Sequence, residues 1–198
     1  MQHRVRNHFQ IVASLLNLQA SLTSAPATVK MLESMQLRVR AIANLYDSSF
    51  SIDDFSAMHF GQYVTNLTGE LERAWAPSDR VQTQLSIADL AVDMEQALPL
   101  SLISNELVSN AFRHAFPGNR SGKVHVSVEY KSQDEAGELC RLEVSDDGVG
   151  LPQNVDPSTA VSMGFHMVRA LTRQLRAKVE VDRSPGTSIR VSFSLAKG

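Results

Sequence analysis

Glu106, Asn110 and Arg113 stand at i, i+4 and i+7 within the run NELVSNAFRH from 105 to 114, which places their side chains on one face of a helix. Asn110 offers an uncharged carbonyl oxygen, and a magnesium ion held mainly by phosphates needs only one or two oxygens from protein. In LEVSDDGVGLP, from 142 to 152, a strand runs into a tight turn. The carboxylate of Asp146 stands at the strand end, where it can accept a hydrogen bond from an exocyclic amine. Gly148 and Gly150 let the backbone approach a flat ring closely. A third segment, SMGFHMV from 162 to 168, puts Gly164 at a helix start after the polar stretch Gln153 to Ala160, and backbone N–H groups at such an end hold phosphate.

The elements that must position these groups follow from periodicity. From His3 to about Ser21 the chain has no Gly or Pro, and Val5, Phe9, Val12 and Leu16 recur at helical spacing. After a break at 23–26, Met31, Met35, Val39, Ile42 and Leu45 mark a second helix from about 27 to 48, so the two form an αα-hairpin. Neither apolar stripe can be buried by one thin hairpin, which must pair with a second copy as a four-helix bundle or dock on the rest of the chain. A linker at 51–56 precedes a helix over 60–75. Strands are predicted at 81–87, 123–130, 139–145, 178–182 and 187–195, with helices near 96–115 and 164–176. The expected fold class is α+β: residues 1–52 form the antiparallel hairpin, and residues 53–198 form an α/β sandwich with a mostly antiparallel sheet.

Composition narrows the function classes. The 198 residues carry a net charge of -2 with both signs mixed along the chain, so no field advertises a nucleic acid or an anionic membrane. The lone Cys140 excludes an internal disulfide framework and a thiolate metal cage. No apolar run approaches the roughly 20 residues needed to cross a bilayer, and the first residues lack the apolar stretch of a signal peptide. The chain reads as cytoplasmic, as the cytoplasmic part of a larger sensor would.

The order of the three segments resembles the ATP-binding domain shared by histidine kinases, type II topoisomerases, Hsp90 and MutL, the GHKL or Bergerat type. The closing SPGTSIRV from 184 to 191 is similar to that family's last strand, whose threonine, here Thr187, lies near the adenine pocket. The resemblance implies ATP and Mg²⁺ as ligands. It gives Asn110 to the metal, Asp146 to the adenine amine, Gly148, Gly150 and Gly164 to the pocket and lid, and Glu106 and Arg113 to the phosphate region. His114 follows Asn110 by one turn, and both phosphate contact and closure of the helix before Pro117 are open to it.

At the other end, HRVRNHFQIVASLLNLQ from 3 to 19 resembles the phosphoacceptor helix of a histidine-kinase subfamily, with His-Arg-Val-Lys-Asn in place of the commoner His-Glu-x-Arg-Thr-Pro. QLRVRAIA from 36 to 43 is similar to its second helix. The implied activity is autophosphorylation of His3 by Mg-ATP and transfer to an aspartate of a response-regulator receiver, by a homodimer joined through the N-terminal helices. His3, Asn7, Gln10 and Ser14 form a polar stripe apart from the apolar one, and a neutral imidazole is nucleophilic. His8, His59, His125 and His166 lack metal-ligand spacing and read as packing or surface residues.

Two departures from the resembled pattern matter. Arg4 follows the acceptor where many relatives carry an acid, leaving Glu106 as the candidate base. The lid has one clear glycine, Gly164, and Ala177 stands where a Gly-Gly pair is common. Rival readings are a histidine phosphotransfer protein of this architecture without ATP turnover, a non-catalytic dimeric interaction module, and a serine kinase that has no need of the His3 helix.

Overall fold

A computed structural model describes residues 2–48, 57–76, 80–134, 137–152, 163–183 and 185–195. The linker at 51–56, with the boundary expected at 52/53, and the polar stretch from Gln153 to Ala160 lie outside the described residues. Helices α1 (Gln2–Leu22) and α2 (Pro26–Ser48) form the hairpin. The chain turns at 23–25, Pro26 opens α2 where its missing N–H costs nothing, and Val29 N donates to Ala25 O at 3.0 Å.

Then follow β1 (Ala57–His59), α3 (Phe60–Trp75), β2 (Val81–Ile87), β3 (Ala91–Asp93), α4 (Met94–His114), β4 (Gly122–Asp134), β5 (Gly137–Asp146), α5 (Met163–Gln174), β6 (Lys178–Asp182) and β7 (Thr187–Leu195). The main sheet has the order β2-β4-β5-β7-β6, parallel between β2 and β4 and antiparallel elsewhere. The fold is thus α+β, as expected. The three-residue strands β1 and β3 pair with each other and were not anticipated, being too short to show alternation.

Apolar alternation explains the layering. On β7, Ile189, Val191, Phe193 and Leu195 are buried while the intervening residues are more exposed, so one sheet face is covered. Phe60, Tyr63, Val64, Leu67 and Leu71 of α3, with Leu100, Ile103, Leu107 and Val108 of α4, pack with that face into one core. Asp93 caps α4 by accepting from Gln96 N at 2.8 Å. The α5 C-terminus closes on Arg176 at φ 52°, with Ala177 N donating to Thr172 O at 2.8 Å, a left-handed cap that favours glycine.

Of the two ways to cover the hairpin, docking on the rest of the chain is realised by α2, which packs against α4 and α3. The outer stripe of α1, Ile11, Leu15, Leu18 and Leu22, is exposed. Among the described residues no helix is long and apolar enough to cross a membrane.

Candidate functional site

Helix α4 runs under the sheet and delivers its last two turns to the end where β5 finishes. Glu106, Asn110, Arg113 and His114 therefore line one cavity of about 770 Å³ with Asp146, Gly150, Gly164 and Thr187. This lies within the size range of small-molecule sites. The lining is largely apolar, including Leu107, Ala111, Val144 and Ile189, with the polar groups of Glu106, Asn110, Asp146 and Thr187 set among them.

Register brings Thr187 there: in the β5–β7 pairing it stands directly opposite Asp146. The turn after Asp146 is anchored from three sides. Gly148 N donates to Asp146 Oδ1 at 2.9 Å, Val149 N to Ala115 O at 2.9 Å, and Lys123 N to Asp147 Oδ1 at 2.7 Å. Burial pushes the Asp146 carboxyl above its ordinary range, and the N–H groups of Gly148 and Thr187 pull it back only in part. A half-buried carboxylate of this kind is poised to accept from a ligand donor rather than from water.

Glycine is required at two points of this turn. Gly186, at φ 74°, leaves space in which an added Cβ would sit 1.9 Å from Asp146 O. At Gly148 the Cβ would meet Ala115 O at 2.2 Å, so Gly148 does not line the cavity; it seats the Asp146 turn against the end of α4. Gly148→Ala is accordingly expected to cost about 2–3 kcal/mol by overpacking, read as a lowered Tm on thermal unfolding.

Arg113 lies over the Trp75 ring, 4.8 Å from its centroid, which holds the guanidinium between α3 and the cavity. His114 is exposed at the rim, and Ala115 N closes the helix on Ala111 O at 3.1 Å. Glu106 differs from expectation in its partner. Its Oε1 accepts from Arg38 Nε of α2 at 2.8 Å, with both side chains largely buried. Its Oε2 lies so close to Gly164 that a Cβ there would be 2.5 Å away.

Among the lining residues that the sequence reading did not assign to the site, Met31, Ser34 and Arg38 come from α2, a helix it placed outside the ATP-binding domain. The available signal was an arginine inside the otherwise apolar stripe of that helix. His3 belongs to α1, and its side chain lies outside the described residues. Among the described residues no group of three or more His, Cys, Asp or Glu side chains is placed to cage a metal. The neutral oxygen of Asn110 suits Mg²⁺ held mainly by phosphates, since the neighbouring Glu106 is already paired.

Residues 1–75 match a family described as histidine kinase, and residues 95–197 match the histidine kinase-, DNA gyrase B- and HSP90-like ATPases. The first match runs through α3, whose apolar face lies in the same core as α4. The chain is 28% identical to blue-light-activated histidine kinase 2 of Erythrobacter litoralis over its whole length, spanning 56% of that protein. To the sensor histidine kinase PdtaS of Mycobacterium tuberculosis it is 33% identical over 94% of the chain, spanning 35% of that relative. It thus covers about half or less of either relative. The histidine kinase domain of the Erythrobacter litoralis EL346 blue-light activated kinase superposes with a TM-score of 0.74 at 27% identity, covering 98% of this chain and 91% of that one.

Proposed function

Since the chain belongs to the histidine kinase-, DNA gyrase B- and HSP90-like ATPases, with a histidine-kinase segment ahead of the ATPase domain, we propose that it is an ATP-dependent histidine autokinase of a two-component system. Residues 1–52 act as the phosphoacceptor and dimerisation hairpin and residues 53–198 as the ATP-binding domain. The observation that carries this reading is the single cavity in which the Asn110 amide and the Asp146 carboxylate converge from α4 and β5.

In the proposed reaction Asp146 accepts a hydrogen bond from the adenine amine, with Thr187 beside it, and the Gly150 turn and apolar lining take the ring. Asn110 holds Mg²⁺, which neutralises charge on the phosphate oxygens. Arg113, His114 and the α5 start at Gly164 border the phosphate chain. One ring nitrogen of His3 attacks the γ-phosphorus in line, the bond to the β,γ-bridging oxygen breaks, and ADP departs. The imidazole proton passes to a base, for which Glu106, a buried carboxylate of the cavity lining, is the candidate. The phosphoryl group then moves to an aspartate of a response-regulator receiver. The exposed apolar stripe of α1 supports a homodimer built on the hairpin.

Incubation with γ-labelled ATP and Mg²⁺ tests the reading. The expected result is protein-bound label that is lost in acid and stable in alkali. Acid-stable label favours a serine kinase, whereas Mg-ATP affinity without label favours an interaction module. No nucleotide affinity at all leaves only a phosphotransfer relay.

A further inference from the structure

Trp75, the single tryptophan of the chain, ends α3, and the Arg113 guanidinium lies over its ring at 4.8 Å from the centroid. The ring is 38% exposed and stands outside the hydrophobic core, so filling the core does not account for it. Arg113 itself lines the cavity, three residues and about one helical turn after Asn110. Of the two arginines in the lining, Arg38 is committed to Glu106, whereas no carboxylate among the described residues pairs with Arg113. Its charge is therefore available to an anion in the cavity. The last turn of α4 is the negative end of the helix dipole, which disfavours a phosphate chain beside it unless a cation is held there. An unsupported arginine side chain loses much rotamer freedom when a ligand fixes it, and stacking of the guanidinium on a ring removes part of that loss in advance. The five N–H donors lie in the guanidinium plane, so contact through its face leaves them for phosphate oxygens.

We infer that Trp75 is a positioning residue for the phosphates of the nucleotide: its indole face holds the Arg113 guanidinium at the cavity wall, ready to meet them. This deepens the ATP-binding reading and rests on it. Asp146 and Thr187, proposed for the adenine, stand on β5 and β7, so the contribution of Trp75 is confined to ligands that carry phosphate.

The test titrates Mg-ATP and adenosine into the chain and into Trp75→Leu, Trp75→Phe, Arg113→Ala and the Trp75→Leu/Arg113→Ala double variant. Trp75→Leu, which keeps apolar bulk without a ring face, is expected to weaken Mg-ATP binding about three- to fivefold while adenosine affinity stays within about 1.5-fold. Trp75→Phe, which keeps a face, recovers most of the loss. Arg113→Ala weakens Mg-ATP binding about tenfold, and adding Trp75→Leu to it costs nothing further, because Trp75 acts only through the arginine. Trp75 is also its own reporter: Mg-ATP shifts its emission, adenosine does not, and Arg113→Ala abolishes the shift. That readout needs no substitution at Trp75, so it holds even where Trp75→Leu does not fold. Equal losses for Mg-ATP and adenosine, additive losses in the double variant, or no loss with Trp75→Leu each overturn the positioning role. A chain that binds neither ligand removes the nucleotide reading and this role together, whereas binding with additive losses removes the role alone.

Discussion

His3→Gln is expected to reduce acid-labile labelling to background, a loss of at least about a hundredfold, while Mg-ATP affinity stays within about twofold. The split follows from where the residue sits. His3 lies in the second position of α1, and the described lining residues come from α2, α4, β5, α5, β7 and the turn after Asp146, so the substitution is expected to remove the nucleophile and leave those nucleotide contacts in place. Glutamine keeps a polar side chain of similar reach but has no nitrogen lone pair able to form a stable phosphoryl adduct. The informative failure is retained label. His8 is five residues further along the same helix and exposed, and mapping label to it would move the acceptor. Label on a hydroxyl would discard the histidine chemistry altogether.

Asp146→Asn is expected to weaken Mg-ATP binding by about 10²-fold while leaving Tm equal or slightly higher. A hydrogen bond to a charged group contributes about 1.5–3 kcal/mol; with the asparagine oxygen kept by Gly148 N, which donates to Asp146 Oδ1, the amide nitrogen faces the adenine amine, donor against donor. The stability side has the opposite sign. Burial raises the Asp146 carboxyl in the folded chain, so its contribution to stability is full below the unfolded pKa and is lost as pH rises through the folded one. At neutral pH the ionised side chain therefore works against the unliganded fold, and a neutral replacement relieves it. By the same shift, nucleotide affinity should fall on acidification sooner than an ordinary carboxylate would allow. Isothermal titration across pH with thermal unfolding of both proteins checks the pair of effects. A drop in affinity accompanied by a drop in Tm would assign Asp146 to folding, and an unchanged affinity would remove the adenine contact.

Trading stability for binding is consistent with how the turn is built. Gly148 and Gly186 bring backbone so close to Ala115 and Asp146 that no side chain fits, and Val149 ties the turn to the end of α4. The desolvated carboxylate is thereby held still without being saturated by partners. Such preorganisation lowers the cost of ordering the site when ligand enters.

Much of this architecture was legible in the residues. Helical spacing located α1, α2 and α3 to within a residue or so, and β2, β6 and β7 begin and end where alternation placed them. The 105–114, 142–152 and 162–168 segments do meet at one cavity, because the helix face, the strand end and the glycine turn are each written locally. What was not legible was of another kind. β1 and β3 are three residues each and exist only because they pair with one another, and the close approach of Gly148 to Ala115 joins segments that no local pattern connects.

The sequence by itself determined which stretches are helix and strand, which residues carry acid, amide and imidazole chemistry, and the order in which they occur, since those properties depend on side-chain type and on periods of 3.6 and 2 residues. The tertiary structure decided where α2 docks, that Arg38 meets Glu106, and that Met31, Ser34 and Arg38 of α2 join the cavity lining. Those contacts join residues far apart in sequence, and their free energy depends on desolvation and packing that no local pattern encodes.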